Sequence, residues 1–117
     1  MLLIVNADDL GHSSYRDAGI FSLFRQGRVT SASLLVNGAS SVMAAREAVK
    51  CGLPLGLHFN VTEGRPCCGD LGLIRSLVDD ESRSGQFRGK LGLRESANGI
   101  VADHVAAELR CQLERFK

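Results

Sequence analysis

The chain opens on an unbroken apolar run, Leu2 to Val5, closed at once by Asn6-Ala7-Asp8-Asp9. Such a run without alternation predicts a short strand buried on both faces, the kind that parallel sheets contain. Ser14 and Asp17 have the spacing of a capping box, and Ile20, Leu23 and Phe24 share one helical face before Gly27, so a first helix is expected between those limits. Ala32 to Val36 reads as a second strand ending at Asn37-Gly38. Val42, Ala45 and Val49 form the stripe of a second helix stopped by Gly52 and Pro54, and Leu55 to Asn60 follows as a third strand carrying His58 near its end.

This alternation, with short connections, predicts an α/β fold of parallel βα units with right-handed crossovers. The carboxyl ends of parallel strands share one edge, where the connecting loops converge and sites are built. Asp8, Asp9, Asn37, His58 and Asn60 land on that edge, and all are polar. Beyond Gly64 the pattern dissolves, and residues 65–98 are expected to form one long glycine-rich loop, a candidate cover for a substrate. Val101, Val105, Leu109, Leu113 and Phe116 then return to helical spacing, still periodic at Lys117. Three strands and one further helix leave an open sheet edge and unmatched apolar faces. Residues 1–117 are therefore expected to be the amino-terminal part of a larger single domain, incomplete as they stand and prone to homo-oligomerise.

Composition narrows the partners. Fourteen basic residues against thirteen acidic ones give a net charge of +1, and the aromatics are five phenylalanines and one tyrosine. That leaves no field to collect a polyanion and too few stacking platforms for single strands, so nucleic acid is not an expected partner. At 44% hydrophobic and 23% charged residues the chain is globular. No apolar run approaches the ~18 residues that span a bilayer, and the amino terminus has no basic segment before its apolar run, so no membrane association is expected and the reading is a cytoplasmic protein. Cys51, Cys67, Cys68 and Cys111 lack zinc-ligand spacing and are expected to remain free thiols.

Asp8-Asp9 is the most informative pair. Adjacent carboxylates at a sheet edge repel unless a cation or proton compensates them. Helix capping is the plainer alternative, but Ser14 already serves the helix start. Successive strand residues point to opposite sides, so the two aspartates are not interchangeable. A lone strand histidine is commonly a core residue, and what favours a ligand role for His58 is its place on the same edge. Asn60 and Glu63 either orient that histidine or build the turn that follows it. His12 and His104 read as structural or solvated. With no G-x-G-x-x-G or G-x-x-x-x-G-K after the first strand, neither a dinucleotide fold nor a P-loop is supported. A receiver domain would need an aspartate at the end of the third strand, yet there is none between Asp17 and Asp70.

Three ordered motifs carry a resemblance: Val5-Asn6-Ala7-Asp8-Asp9-Leu10-Gly11, Gly27 to Ser33 leading into Val36-Asn37, and Gly56-Leu57-His58-Phe59-Asn60-Val61-Thr62-Glu63-Gly64. Together with Ser76 to Asp79, Gly85-Gln86-Phe87 and the helix Glu108 to Phe116, they resemble the YdjC-like (ChbG-type) carbohydrate deacetylases, the YDJC proteins among them. The resemblance implies a barrel-like βα fold of the glycoside hydrolase/deacetylase type, incomplete in this chain. It also implies metal-dependent hydrolysis of N-acetylated carbohydrates such as chitooligosaccharides, releasing acetate. Carried over by residue, Asp8 would be the proton acceptor, with Asp9 and His58 ligands of a divalent metal. Asn37, Asn60 and Glu63 would be supporting or substrate-binding groups. Magnesium is the family's common ion; carboxylate and water equally suit manganese, and imidazole suits zinc. The family's second metal histidine has no counterpart in these 117 residues. The alternative is a catalytically inactive remnant that acts as a binding or interaction module.

Overall fold

The computed structural model describes residues 2–79 and 84–117. The chain divides into two compact units, Met1–His58 and Phe59–Lys117.

The first unit runs β1 (Asn6–Leu10), α1 (Ser14–Arg25), β2 (Ser31–Leu34), α2 (Ser41–Cys51) and β3 (Leu55–Leu57). The strands form one parallel sheet in the order β1-β2-β3, as the βα alternation predicts. The strands themselves are displaced. Leu2 to Val5 lies outside β1, and Leu2, Leu3 and Ile4 are exposed. A strand needs a backbone partner as well as apolar side chains. β2 begins at Ser31, opposite Asn6, so the ladder begins there; ahead of it Val5 is held mainly through Thr30, whose N–H donates to Val5 O at 2.8 Å and whose Oγ1 accepts from Val5 N–H at 2.9 Å, with Ser31 N–H also reaching Val5 O at 3.4 Å. β2 likewise stops before Leu35 and Val36, which stay buried, and β3 stops before His58 to Asn60.

Both helices bury a face shifted from the one their apolar residues suggest, although Ile20 of α1 is buried as expected. The N-cap of α1 is Ser13, not Ser14: its Oγ accepts from Arg16 N–H at 3.4 Å. Asp17, Ile20 and Phe21 are buried while Leu23 is exposed. The helix ends in a Schellman motif, with Gly27 at φ 70°, Gly27 N–H donating to Phe24 O and Arg28 N–H to Leu23 O. On α2, Val42 and Val49 are exposed, and Ser41, Ala44 and Ala48 are buried instead. These small side chains let the helix lie close to its neighbours, an approach the two valines would hold off. Leu10, Ile20, Phe21, Ala32, Leu34, Val36, Ala48 and Leu53 form the buried interior of this unit.

The second unit replaces the expected long loop of residues 65–98 with ordered structure, although residues 80–83 of that span lie outside the described residues. A 3-10 segment at Leu71–Leu77, α3 (Gly89–Glu95), a 3-10 turn at Ala97–Gly99 and α4 (Ala102–Phe116) follow one another. Val78 and Phe87 form an antiparallel bridge. They join Cys68, Ile74 and Leu77 in a small core, against which Leu93, Ile100, Val105 and Cys111 pack. The long span therefore has its own apolar cluster, composed of single residues too dispersed to register as a periodic pattern.

The expected stripe of α4 is also corrected. Leu113 is 42% exposed, while Glu108 and Gln112 are fully buried. Irregular backbone meets only part of its own hydrogen-bonding need, so the remainder calls for donors and acceptors from side chains. Glu108 accepts from Cys67 N–H at 2.8 Å and Cys68 N–H at 2.9 Å. Gln112 donates to Glu108 Oε1 at 2.8 Å and accepts from Asn60 N–H at 3.1 Å. His104, one turn earlier, accepts from Ser76 N–H at 3.1 Å. Among the described residues no helix is long and apolar enough to cross a membrane.

All four cysteines are free thiols. Burial, reinforced by the adjacent Cys68 thiol and the Glu108 carboxylate, pushes Cys111 up from 9.0 to about 11. The unfolded chain loses this proton first, so between those two values the folded state binds more protons and stability falls as pH rises. Urea midpoints should therefore drop on passing from about pH 8 to about pH 10.5, and drop less in Cys111→Ala. Glu108→Ala, which strands the buried Cys68 amide and the part-buried Cys67 amide, should cost about 2–4 kcal/mol. Leu113→Ala should cost under about 1 kcal/mol, the reverse of the order hydrophobicity suggests; denaturant unfolding of the two variants measures it.

Candidate functional site

The first unit gathers its polar groups on one face and at one end of the sheet. Alternation along each strand puts Asn6 and Asp8 of β1 beside Ser31 and Ser33 of β2, while Ala32 and Leu34 are buried on the opposite side. Ser31 Oγ donates to Asn6 Oδ1 at 2.7 Å. Asp8 Oδ1 then receives two donors, Ser33 Oγ at 2.7 Å and Asn6 Nδ2 at 2.9 Å. The Ser33 hydrogen bond above all holds the Asp8 carboxyl below the usual carboxylate range against the opposing effect of desolvation, with further help from Asn6 and His58. Asp8 is thus ionised at neutral pH, with Oδ1 occupied and Oδ2 left without a hydrogen-bond partner among the described residues.

Asp9 sits in a β-bulge: between Ala7 and Leu10 three steps on β1 match two on β2, from Ala32 to Leu34. Its φ of 63° is the one positive value at a non-glycine among the described residues. Such a bulge re-aims a side chain, and here it brings the backbone and carboxylate of Asp9 to His58. Asp9 N–H donates to His58 Nδ1 at 3.3 Å, and Asp9 Oδ1 lies 3.4 Å from the same nitrogen. Asp9 Oδ2 takes Arg16 Nη1 at 2.6 Å. The loop behind the bulge is fixed by Asp17, buried on α1, which accepts from Gly11 N–H at 2.7 Å and from Ser40 Oγ at 2.5 Å. Gly38 is packed so closely there that a Cβ on it would lie 2.2 Å from Gly11 O.

Asp8, Asp9 and His58 are therefore brought together. Asn37 lies half-buried in the turn after β2. Asn60 and Glu63 belong to the second unit, where Asn60 Oδ1 accepts from Thr62 N–H, Thr62 Oγ1 and Glu63 N–H, and Asn60 Nδ2 donates to Glu63 O at 2.9 Å. Asn60 thus builds the turn, one of the two roles the sequence allowed it. Sequence reasoning missed Ser33, Asn6 and Arg16. A signal for the first two existed: Asn6-x-Asp8 and Ser31-x-Ser33 alternate with period two at the end of the first expected strand and the start of the second. Arg16 gave none, since a seven-residue separation across a turn carries no fixed geometry.

His58 Nδ1 has one lone pair, which Asp9 N–H engages at 3.3 Å, and Asp9 Oδ1 stands beside it. A cation held between that nitrogen and that oxygen would have to displace the amide hydrogen bond. Two ligand atoms each about 2.1 Å from one ion at near-tetrahedral angles lie roughly 3.4 Å apart, the spacing found here. The donor set fits a divalent ion in part: no group of three or more His, Cys, Asp or Glu side chains suited to a metal occurs among the described residues.

A sequence profile of the YdjC-like protein family matches residues 2–117. The chain belongs to that family. Among its relatives, a mouse protein named carbohydrate deacetylase is 44% identical over 98% of this chain and 37% of its own length. A Serratia marcescens chitooligosaccharide deacetylase is 38% identical, over 98% of this chain and 43% of its own length. The solved structure of an Enterococcus faecalis protein proposed to cleave cellobiose-phosphate superposes with a TM-score of 0.83 at 26% identity, covering 97% of this chain and 42% of that one. This YdjC-like chain thus spans well under half the length of the relatives it matches, and its parallel βα units are an incomplete version of the family's fold.

The left-handed backbone at Asp9 is a structural cost that the contacts around the bulge offset. Asp9→Gly should accordingly be more stable than Asp9→Ala by about 1 kcal/mol, since both lose the Arg16 ion pair and the relief of strain outweighs the larger unfolded-state entropy of glycine. Thermal unfolding of the pair measures the difference.

Proposed function

We propose that this chain supplies the base and part of the metal site of a carbohydrate deacetylase that hydrolyses the acetamide of N-acetylated, chitooligosaccharide-like sugars. The observation that carries the reading is the division between neighbouring aspartates. Asp8 is ionised, anchored through one oxygen and open at the other, whereas Asp9 is turned by the bulge toward His58 and Arg16. The names of the mouse and Serratia relatives support the reaction class.

Asp9 and His58 would hold a divalent ion, magnesium by family resemblance, with a further donor from outside these residues. When bound, such an ion acidifies a water and polarises a carbonyl. Asp8 Oδ2 accepts the proton of the attacking water, and its Oδ1 keeps the two hydrogen bonds that fix the carboxylate plane. The proton then passes to the departing amine, leaving acetate and a free amino sugar. Arg16 holds the second oxygen of Asp9 and so limits its rotation.

A second reading, a binding module without turnover, is favoured by the pairing of Asp9 and His58 without a third such side chain among the described residues. A chimera separates the two: residues 1–117 replace the matching part of the mouse relative, and acetate release from N-acetylchitooligosaccharide is followed beside metal content. The deacetylase reading expects turnover, lowered about 10²-fold or more by Asp8→Asn with the metal retained. Asp9→Asn should lower metal content and turnover together. A folded, metal-loaded chimera that releases no acetate favours the binding module. Full activity in both variants removes this edge from the chemistry.

A further inference from the structure

β1 is an outer strand of the sheet, and the devices that usually guard an outer strand are missing from its approach and first half. Residues 2–7 hold no charge and no proline, and Leu2, Leu3 and Ile4 are exposed. Val5 turns its N–H to Thr30 Oγ1 and its O to the Thr30 and Ser31 amides. Backbone groups of successive strand residues point to opposite edges, so those of Asn6 face away from β2, as do those of Ile4 and Leu2 where the chain runs on extended. Farther along β1 the edge is closed to pairing by the bulge at Asp9 and by two carboxylates. The other outer strand, β3, is only three residues long and follows Pro54, which has no N–H to offer.

We propose that residues 2–6 form a self-pairing edge, at which two copies of this chain meet as antiparallel strands about a two-fold axis at Ile4. In that register the Ile4 residues of the two copies exchange both hydrogen bonds, and Leu2 of each copy pairs with Asn6 of the other. Every outward N–H and O ahead of the bulge is then used. Charge selects both partner and register. An uncharged row calls for an uncharged strand, which a second copy offers, whereas an axis moved toward Asp8 would set carboxylates against apolar side chains or against each other. A two-fold contact also closes on itself, while β1 laid on β3 of the next copy would extend without end. About five residues a side fall well short of the roughly 20–30 of a standard interface, so the dimer is weak and concentration-dependent.

The test is sedimentation equilibrium of the 117-residue chain over a concentration series, beside amide hydrogen exchange. The average mass should rise with concentration toward that of a dimer, and the Ile4 and Asn6 amides should gain protection as it does. Ile4→Lys and Ile4→Glu each bring like charges together at the axis and remove an apolar contact, so each should weaken association about tenfold or more. Ile4 is 79% exposed, so neither change should move the thermal midpoint of the dilute chain. An equimolar mixture of the two variants should associate at least about tenfold more tightly than either alone, because opposite charges then meet at the axis. A chain that stays monomeric at every concentration overturns the proposal and leaves this edge to a strand of a longer chain. Association that ignores both substitutions, that leaves the Ile4 and Asn6 amides unprotected, or that is no tighter in the mixture overturns it by assigning the contact to another surface.

Discussion

The Asp17 carboxylate is the interaction on which the arrangement of the first unit depends. It is buried on α1, and its two oxygens accept from the Gly11 backbone behind β1 and from the Ser40 hydroxyl ahead of α2. A carboxylate loses much hydration free energy on burial and is retained only when donors replace the water. Here the donors come from the loops after β1 and β2, so satisfying Asp17 also clamps those loops together. Ser40 N–H on Gly11 O at 3.0 Å and the tight seat of Gly38 complete the clamp. With the loop held from behind, the chain ahead of it has nowhere to relax the bulge, and Asp9 keeps a backbone conformation that an unsupported aspartate would leave.

The second unit solves a different problem with the same chemistry. Its extended and 3-10 segments leave amides that no ladder satisfies, and a buried glutamate accepts two of them. Gln112 extends the line by binding Asn60 through both its backbone N–H and O. A helix face that elsewhere would be apolar is polar here because the surface it covers is backbone. Cys111, half-buried beside this carboxylate, shows the electrostatic consequence in its raised thiol pKa.

The chemistry of the site follows from how protons and lone pairs are distributed. Two donors on one oxygen of Asp8 leave the other as its open basic atom, and the Asp9 amide engages the lone pair of His58 Nδ1 beside the Asp9 carboxylate. Neither arrangement needs a deep cavity. Asp8 lies on an open sheet face, so its lowered pKa comes from hydrogen bonds and not from exclusion of water.

What the sequence determined by itself was the order of parallel βα units, the set Asp8, Asp9 and His58 at one sheet end, and the family, because each is encoded in local runs and their spacing. The limits of the strands were not legible: Leu2 to Val5 is apolar, but whether it is strand depends on where β2 begins. The bulge at Asp9 has meaning only relative to a paired strand, so no single segment could reveal it. Ser33 and Arg16 reach the aspartates from sites 25 and 7 residues away, and Glu108 reaches its amides across 41 and 40 residues. Hydrophobic periodicity reports which face a residue would present if the element were regular. The unmet hydrogen-bonding needs of irregular backbone decide which polar side chains are buried, and those needs exist only once the chain has folded.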